Sequence, residues 1–260
     1  MNILSDKNET ILSDKNETIL SDTSKIVDFN KSNISFLHVM NLCKIVINLK
    51  RRPDRLIKFI ENCPFKNVNT LYAFDGLNLL NEQDNFKANH LIQINKGEVG
   101  CFLSHIRCYE YMIKNNIDYM LIFEDDCNFC DDFISKLNNV LVEYMEYKYV
   151  NNKNIDILYI GGRFQPNFFT KTTNCLKISD NLVKHINSNN NDRDNLDRTT
   201  HSYIISKYTA VFLLDIFYNS KINIPIDHWL IETFNKFNYS IYSSQPLLCY
   251  SPLVGDSDIR

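Results

Sequence analysis

Lys44-Ile45-Val46-Ile47-Asn48-Leu49-Lys50-Arg51-Arg52-Pro53-Asp54-Arg55 decides the fold class of this chain. Its first half is a compact run rich in β-branched residues, the composition of a buried strand. Pro53 then stands where the first turn of a helix tolerates proline, since an N–H at that place has no intrahelical acceptor. Leu56, Ile57, Phe59 and Ile60 follow at helical spacing, so the stretch is a βα unit. Working outward, residues 68–74 read as a second strand closed by the turn pair Asp75-Gly76. Residues 97–115 have helical period, 119–123 form a short buried strand, 132–149 a helix, and 155–160 a strand closed by Gly161-Gly162. Strand signals resume at 202–206, a helix follows from Tyr208, another starts near Asp227, and 239–242 is a late strand. This alternation predicts an α/β fold, with a mixed, mostly parallel central sheet flanked by helices. Residues 164–200 have weak periodicity and contain a run of asparagine from Asn189 to Asn191, which predicts a mobile insertion rather than a linker.

A length of 260 residues accommodates one or two domains, and a 44% hydrophobic content is ordinary for a globular chain. The formal charge is −3 and the isoelectric point about 6.1, so no basic field exists to neutralise phosphates along a nucleic acid. DNA and RNA are therefore not expected partners. No apolar run approaches the ~20 residues of a membrane-spanning helix, and the N-terminus lacks the basic and apolar regions of a signal peptide. The expectation is a soluble, cytoplasmic protein without a transmembrane segment, its eight cysteines reduced and mostly buried. Peripheral association with a membrane stays open. The octapeptide Ile-Leu-Ser-Asp-Lys-Asn-Glu-Thr runs from Ile3, repeats from Ile11 and begins again at Ile19. With so few apolar positions it cannot bury a core by stacking, so residues 1–33 are expected to be a disordered tail and 34–260 a single domain.

Glu124-Asp125-Asp126 directly follows the strand at 119–123. In open α/β sheets ligands bind beyond the carboxyl ends of strands, and three adjacent carboxylates repel unless a cation compensates. Hard oxygen ligands beside a diphosphate suit Mg²⁺ or Mn²⁺. A solvated loop of acids at the start of the next helix accounts for the same residues. Arg51 and Arg55 leave the first strand for a helix start, where cations and free backbone donors make an anion site; a solvated charged turn is the plainer account. On the helix from Gly97, Val99, Phe102, Ile106, Tyr109 and Ile113 form an apolar stripe, flanked by Cys101, His105, Cys108 and Met112. His105 should face a half-buried edge, as a core histidine or as one lining a cleft. A single Cys-x-x-Cys, Cys127 to Cys130, would need Cys101, His105 and Cys108 to make a zinc set, and no second such pair at structural-zinc spacing exists. No Gly-x-Ser-x-Gly elbow, phosphate-binding P-loop or dinucleotide fingerprint occurs.

Four segments together resemble glycosyltransferase family 25, which includes lipooligosaccharide and procollagen galactosyltransferases: residues 46–55, 73–76, 96–105 and 121–126. The likeness extends more loosely through Thr200-His201-Ser202, Pro225-Ile226-Asp227 and the closing Ser257-Asp258-Ile259-Arg260, leaving the repeat tail outside. The resemblance implies a GT-A type nucleotide-diphospho-sugar fold, a UDP-sugar donor, Mn²⁺ or Mg²⁺, and inverting transfer of galactose or glucose. The acceptor would be a glycan, lipid-linked or hydroxylysine-type hydroxyl, as in lipopolysaccharide biosynthesis or collagen glycosylation. Glu124, Asp125 and Asp126 would be its acidic metal motif, with Asp126 and Glu124 as metal ligands. Asn48, Leu49, Arg51 and Arg55 would contact the nucleotide end. Gly97, Glu98, Gly100, Ser104 and His105 match its Gly-Glu-x-Gly-x-x-x-Ser-His segment and would shape the donor pocket. The catalytic candidates are His105 and Asp227, the latter as general base; a helix N-cap is the structural alternative for Asp227. A noncatalytic nucleotide-sugar or glycan binder of the same fold is the alternative function. Two features depart from the family pattern: the Asn-rich stretch before His201, and Cys127 where an aliphatic residue is usual.

Overall fold

The computed structural model describes residues 42–78, 87–151, 154–162, 175–186 and 199–251. The octapeptide repeats, the asparagine run and the final Ser257–Arg260 lie outside the described residues. Strand β1 (Cys43–Asn48) leads into helix α1 (Pro53–Asn62), with Pro53 at its first turn as expected. Then come β2 (Asn69–Tyr72), α2 (Lys96–Lys114), β3 (Tyr119–Glu124), β4 (Asn128–Phe129) and α3 (Phe133–Asn151). They are followed by β5 (Asp156–Tyr159), β6 (Gly161–Gly162), β7 (Cys175–Lys177), β8 (Leu182–His185), β9 (Ser202–Ser206), α4 (Lys207–Tyr218), α5 (Ile226–Lys236), β10 (Ser240–Ser244) and β11 (Cys249–Tyr250).

The main sheet has the order β2-β1-β3-β9-β5-β10-β8-β7. Strands β1, β2, β3, β5, β7 and β10 point one way, and β8 and β9 the other, so the sheet is mixed and mostly parallel. Alternation along each strand divides the core in two. Met120 and Ile122 of β3, with Ile45 and Ile47 of β1 and Tyr203 and Ile205 of β9, pack under α2, α4 and α5. Leu121, Phe123, Val46 and Ile204 face the other side, against α1 and α3. Both faces are covered by helices, which is why β1, β3 and β9 each carry a run of consecutive apolar residues, such as Ile45-Val46-Ile47, Met120-Leu121-Ile122-Phe123 and Tyr203-Ile204-Ile205.

Three sequence expectations are corrected here. The stretch 164–200, read as an insertion, contains β7 and β8, which extend the sheet edge through antiparallel pairing of Leu182–Ser244 and Cys175–His185. Strands of three and four residues are too short for a period-2 pattern to stand out. Gly161-Gly162, read as a closing turn, is itself a strand, paired with β11 in a small sheet of order β4-β11-β6. Nor are the cysteines mostly buried: Cys108, Cys127 and Cys249 are, and the other five are half-buried; no disulfide joins any of them. No described helix is long and apolar enough to cross a membrane.

Candidate active site

Because β9 runs against β3 with Phe123 opposite Ser202, the residues just before β9 meet the residues just after β3. The Glu124 N–H donates to the His201 carbonyl at 2.9 Å, which brings Thr199, Thr200 and His201 to the acidic tip. The carboxyl end of β1, the turn after β2, and the starts of α2 and α5 converge on the same edge. Between them opens a cleft of about 760 Å³ whose walls include Leu49, Arg51, Arg55, Gly97, Glu98, Ser104, His105, Glu124, Asp125, Asp126 and Asp227.

Helix α2 is seated there by its own sequence. Asn95 caps it, its side chain accepting from the Glu98 N–H at 2.8 Å while the Glu98 carboxylate accepts from the Asn95 N–H at 3.0 Å, a reciprocal capping box. Gly100 is the contact point with the turn after β2, where a Cβ would meet Phe74 O and Gly76 N at 2.7 Å. Ser104 closes the clamp, donating to Gly100 O at 2.6 Å and accepting from the Phe74 N–H at 2.9 Å. The Gly-Glu-x-Gly-x-x-x-Ser segment is thus a joint that positions His105. Gly100 lies behind the cleft rather than in its wall.

His105 is 1% exposed, fully buried rather than on a half-buried edge. Its Nδ1 lies 2.7 Å from the Tyr203 hydroxyl, which in turn lies 2.8 Å from the Tyr109 hydroxyl. Its Nε2 is 3.3 Å from Glu124 Oε1. Glu124 falls on the Met120 and Ile122 side of β3, the side that α2 covers, so strand parity aims it at His105. The same Oε1 accepts from Thr200 Oγ1 at 2.6 Å. Burial by itself would raise the Glu124 carboxyl, but the His105 hydrogen bond, the neighbouring His201 and His105 rings and the Thr200 hydroxyl hold it down at about 2. Glu124 is an anion fixed from two sides.

Asp125 turns toward α1. It forms an ion pair with Arg55 and accepts from Asn48 Nδ2 at 2.6 Å. Burial, with the neighbouring Asp126 and Glu124 charges, pushes its carboxyl up to about 6 against the pull of Arg55 and Asn48. Asn48 is 1% exposed and also donates to Arg52 O, so it braces the site from beneath. Arg51 reaches Asp75 at 3.1 Å. Asp126 Oδ2 accepts from Ser251 Oγ at 2.9 Å and lies 3.5 Å from Arg55 Nη2. Asp126 Oδ1 is buried, with no hydrogen-bond partner among the described residues.

Such an oxygen is costly to leave bare and suits a cation. Among the described residues two groups could hold a metal: Glu124, Asp126 and His201, whose ligand atoms lie within 4.8 Å of one another, and Cys101, His105 and Glu124. Neither contains Cys108, Cys127 or Cys130, so the zinc set built on the Cys-x-x-Cys does not form there; Cys127 instead donates its thiol to His201 O at 2.7 Å. Two carboxylates with an open, unpartnered oxygen fit Mn²⁺ or Mg²⁺.

Asp227 also lines the cleft, from the first turn of α5. The N-cap is Pro225, not Asp227, and the Asp227 carboxylate accepts from the His228 N–H at 2.9 Å. Sequence reasoning assigned no role to Thr199, His201 or Ser251. Thr200-His201 stood in a family-like segment, yet only the antiparallel register of β9 carries it to the acidic tip.

The profile of glycosyltransferase family 25 (LPS biosynthesis protein) matches residues 41–230. A glycosyltransferase 25 family member of Drosophila melanogaster is 27% identical over 232 residues, covering 79% of this chain and 34% of that one. Procollagen galactosyltransferase 2 of Mus musculus is 29% identical over 133 residues, 45% of this chain and 20% of that one. A second mouse relative, named inactive glycosyltransferase 25 family member 3, is 29% identical over 131 residues, 45% of this chain and 21% of that one. The chain spans about a fifth to a half of the length of the curated relatives it matches. With the match running through the first strand, the capped helix, the acidic tip and the start of the last described helix, the chain belongs to glycosyltransferase family 25.

Proposed function

We propose that this chain is an inverting, metal-assisted hexosyltransferase that moves galactose or glucose from a UDP-sugar to a hydroxyl of a glycan, lipid-linked or hydroxylysine-type acceptor. The observation that carries this reading is the acidic tip of β3 opening into the cleft, with Asp126 Oδ1 buried and unpartnered. Family membership supports the reaction class, and the name of the procollagen galactosyltransferase relative supports the sugar.

Transfer breaks the bond from the anomeric carbon to the diphosphate and forms one to the acceptor oxygen. Negative charge passes to UDP and a proton leaves the acceptor. A divalent cation held by Asp126 and Glu124 would offset that growing charge. Arg55, already paired with Asp125 and close to Asp126, keeps the three carboxylates compatible and supplies a guanidinium beside the same space. Arg51, 41% exposed at the cleft wall, is placed to meet the nucleotide end. His105 holds Glu124 ionised rather than taking the acceptor proton, since both ring nitrogens are engaged and the ring is buried. Asp227, which lines the same cleft, is the candidate base.

The decisive experiment is a UDP-release assay over a panel of UDP-sugars, with and without Mn²⁺, on the wild type and Asp126→Ala. Metal-dependent release from UDP-galactose or UDP-glucose, lost in Asp126→Ala, is expected. UDP-sugar binding without release would instead favour the noncatalytic binder, a reading that the mouse relative named inactive keeps in view. Metal-dependent binding retained by Asp126→Ala overturns the metal assignment.

A further inference from the structure

The acidic motif supplies two carboxylates to the tip of β3; the antiparallel return of β9 supplies a third donor of different chemistry. His201 is placed by its backbone, whose carbonyl accepts from the Glu124 N–H at 2.9 Å and from the Cys127 thiol at 2.7 Å. Its ring is placed by Thr199, with Nδ1 at 2.5 Å from Thr199 Oγ1. Nε2 then faces Asp126 Oδ2 at 3.7 Å, beyond hydrogen-bond length. When Nδ1–H donates to a hydroxyl, Nε2 keeps its lone pair, the form in which an imidazole ligates a metal, and the outer partner fixes both tautomer and ring direction. The buried, unpartnered Asp126 Oδ1 is the second sign that this corner awaits a cation. The other histidine nearby, His105, is less suited: its Nε2 is occupied by Glu124 and its Nδ1 by Tyr203.

We propose that His201 is a third protein ligand of the cation site, oriented by Thr199, and that its imidazole gives the site a preference for Mn²⁺ over Mg²⁺. Magnesium dehydrates reluctantly and favours all-oxygen surroundings, whereas a mixed carboxylate–imidazole set suits first-row transition metals. The inference rests on the metal-assisted reading above and extends it to a residue outside the acidic motif.

The test uses the full chain with the metal alone and no sugar nucleotide. Mn²⁺ affinity is measured by electron paramagnetic resonance titration, Mg²⁺ by competition, and nitrogen ligation by spin-echo modulation. In the wild type, bound Mn²⁺ should show ¹⁴N coupling. His201→Ala should lose that coupling and bind Mn²⁺ at least ~10-fold more weakly, with Mg²⁺ competition changed far less. Thr199→Val should weaken Mn²⁺ binding by roughly 10-fold while keeping the coupling. If Asp126→Asn abolishes Mn²⁺ binding but His201→Ala keeps both coupling and affinity, the His201 assignment falls and the metal reading survives. If the wild type binds no Mn²⁺, both fall. Should His201→Ala fail to fold by circular dichroism, His105→Asn decides: coupling kept there supports His201, and coupling lost overturns it.

Discussion

Gly100 and Ser104 show how a few atoms set the geometry of the cleft. Replacing glycine by alanine inside a helix ordinarily stabilises by ~0.5–1 kcal/mol. Here the new methyl would meet two backbone atoms at 2.7 Å, and backbone cannot swing aside as a side chain can. Overpacking of this kind costs ~1–3 kcal/mol, so it outweighs the propensity gain. Gly100→Ala is expected to be destabilised by ~1–2 kcal/mol in urea melts; an equal or higher midpoint would show that the joint is looser than its contacts imply. Asp227 belongs to the same scale. A general base contributes roughly 10²–10⁴-fold, so Asp227→Asn should lower turnover by at least ~100-fold with donor binding unchanged. Unchanged turnover would remove it from the chemistry.

At the scale of elements, α3 is fastened to β5 through a buried ion pair. Lys148 Nζ donates to Asp156 Oδ1 at 2.9 Å, and the same oxygen accepts from the Tyr144 hydroxyl at 2.7 Å. Burial alone would lower the lysine, but the Asp156 charge and Tyr119 raise it above its ordinary value of 10.5. A folded value above the unfolded one means that the ionic contribution is complete below pH ~10.5 and fades as pH rises through the folded value. Stability from this pair should therefore be flat from pH 7 to 10 and decline above. Lys148→Met would leave a buried carboxylate without its cation and is expected to cost ~3–5 kcal/mol in chemical denaturation. A loss below ~1 kcal/mol would mean that Asp156 finds another partner. The position was not legible beforehand: Lys148 sits on a helix whose apolar face is only weakly marked, and nothing local marks it as buried. By contrast, β1 and β3 were legible as compact apolar runs, and α1 and α2 by apolar residues at helical spacing. The edge strands β7 and β8 were not, since three or four residues in a polar stretch carry no periodic signal.

For the whole molecule, the cleft exists only where the carboxyl ends of β1 and β3 meet the starts of β9, α2 and α5, so ligand binding should stabilise all of them at once. A ligand at 100 times its dissociation constant adds ~2.7 kcal/mol, which for a domain of this size raises Tm by roughly 5–10 °C. Scanning calorimetry should show that shift with UDP and Mn²⁺ together and a smaller one with UDP alone. A Tm indifferent to both would argue that the cleft is not a nucleotide site.

The order of strand and helix and the acidic tripeptide at a strand end were written in local sequence, because each depends on neighbours within a turn or two, whereas the Gly100 joint with Phe74 and Gly76 is a tertiary contact. The family likeness followed from those segments. Tertiary structure alone decided which side chains met: that His105 locks onto Glu124, that Arg55 joins Asp125, and that His201 returns beside Asp126. The last of these hangs on the direction and register of β9 between β3 and β5, the first two on how α2 and α1 pack against the tip of β3. Non-local register of that kind is set by how whole faces pack, and no short window of residues contains it.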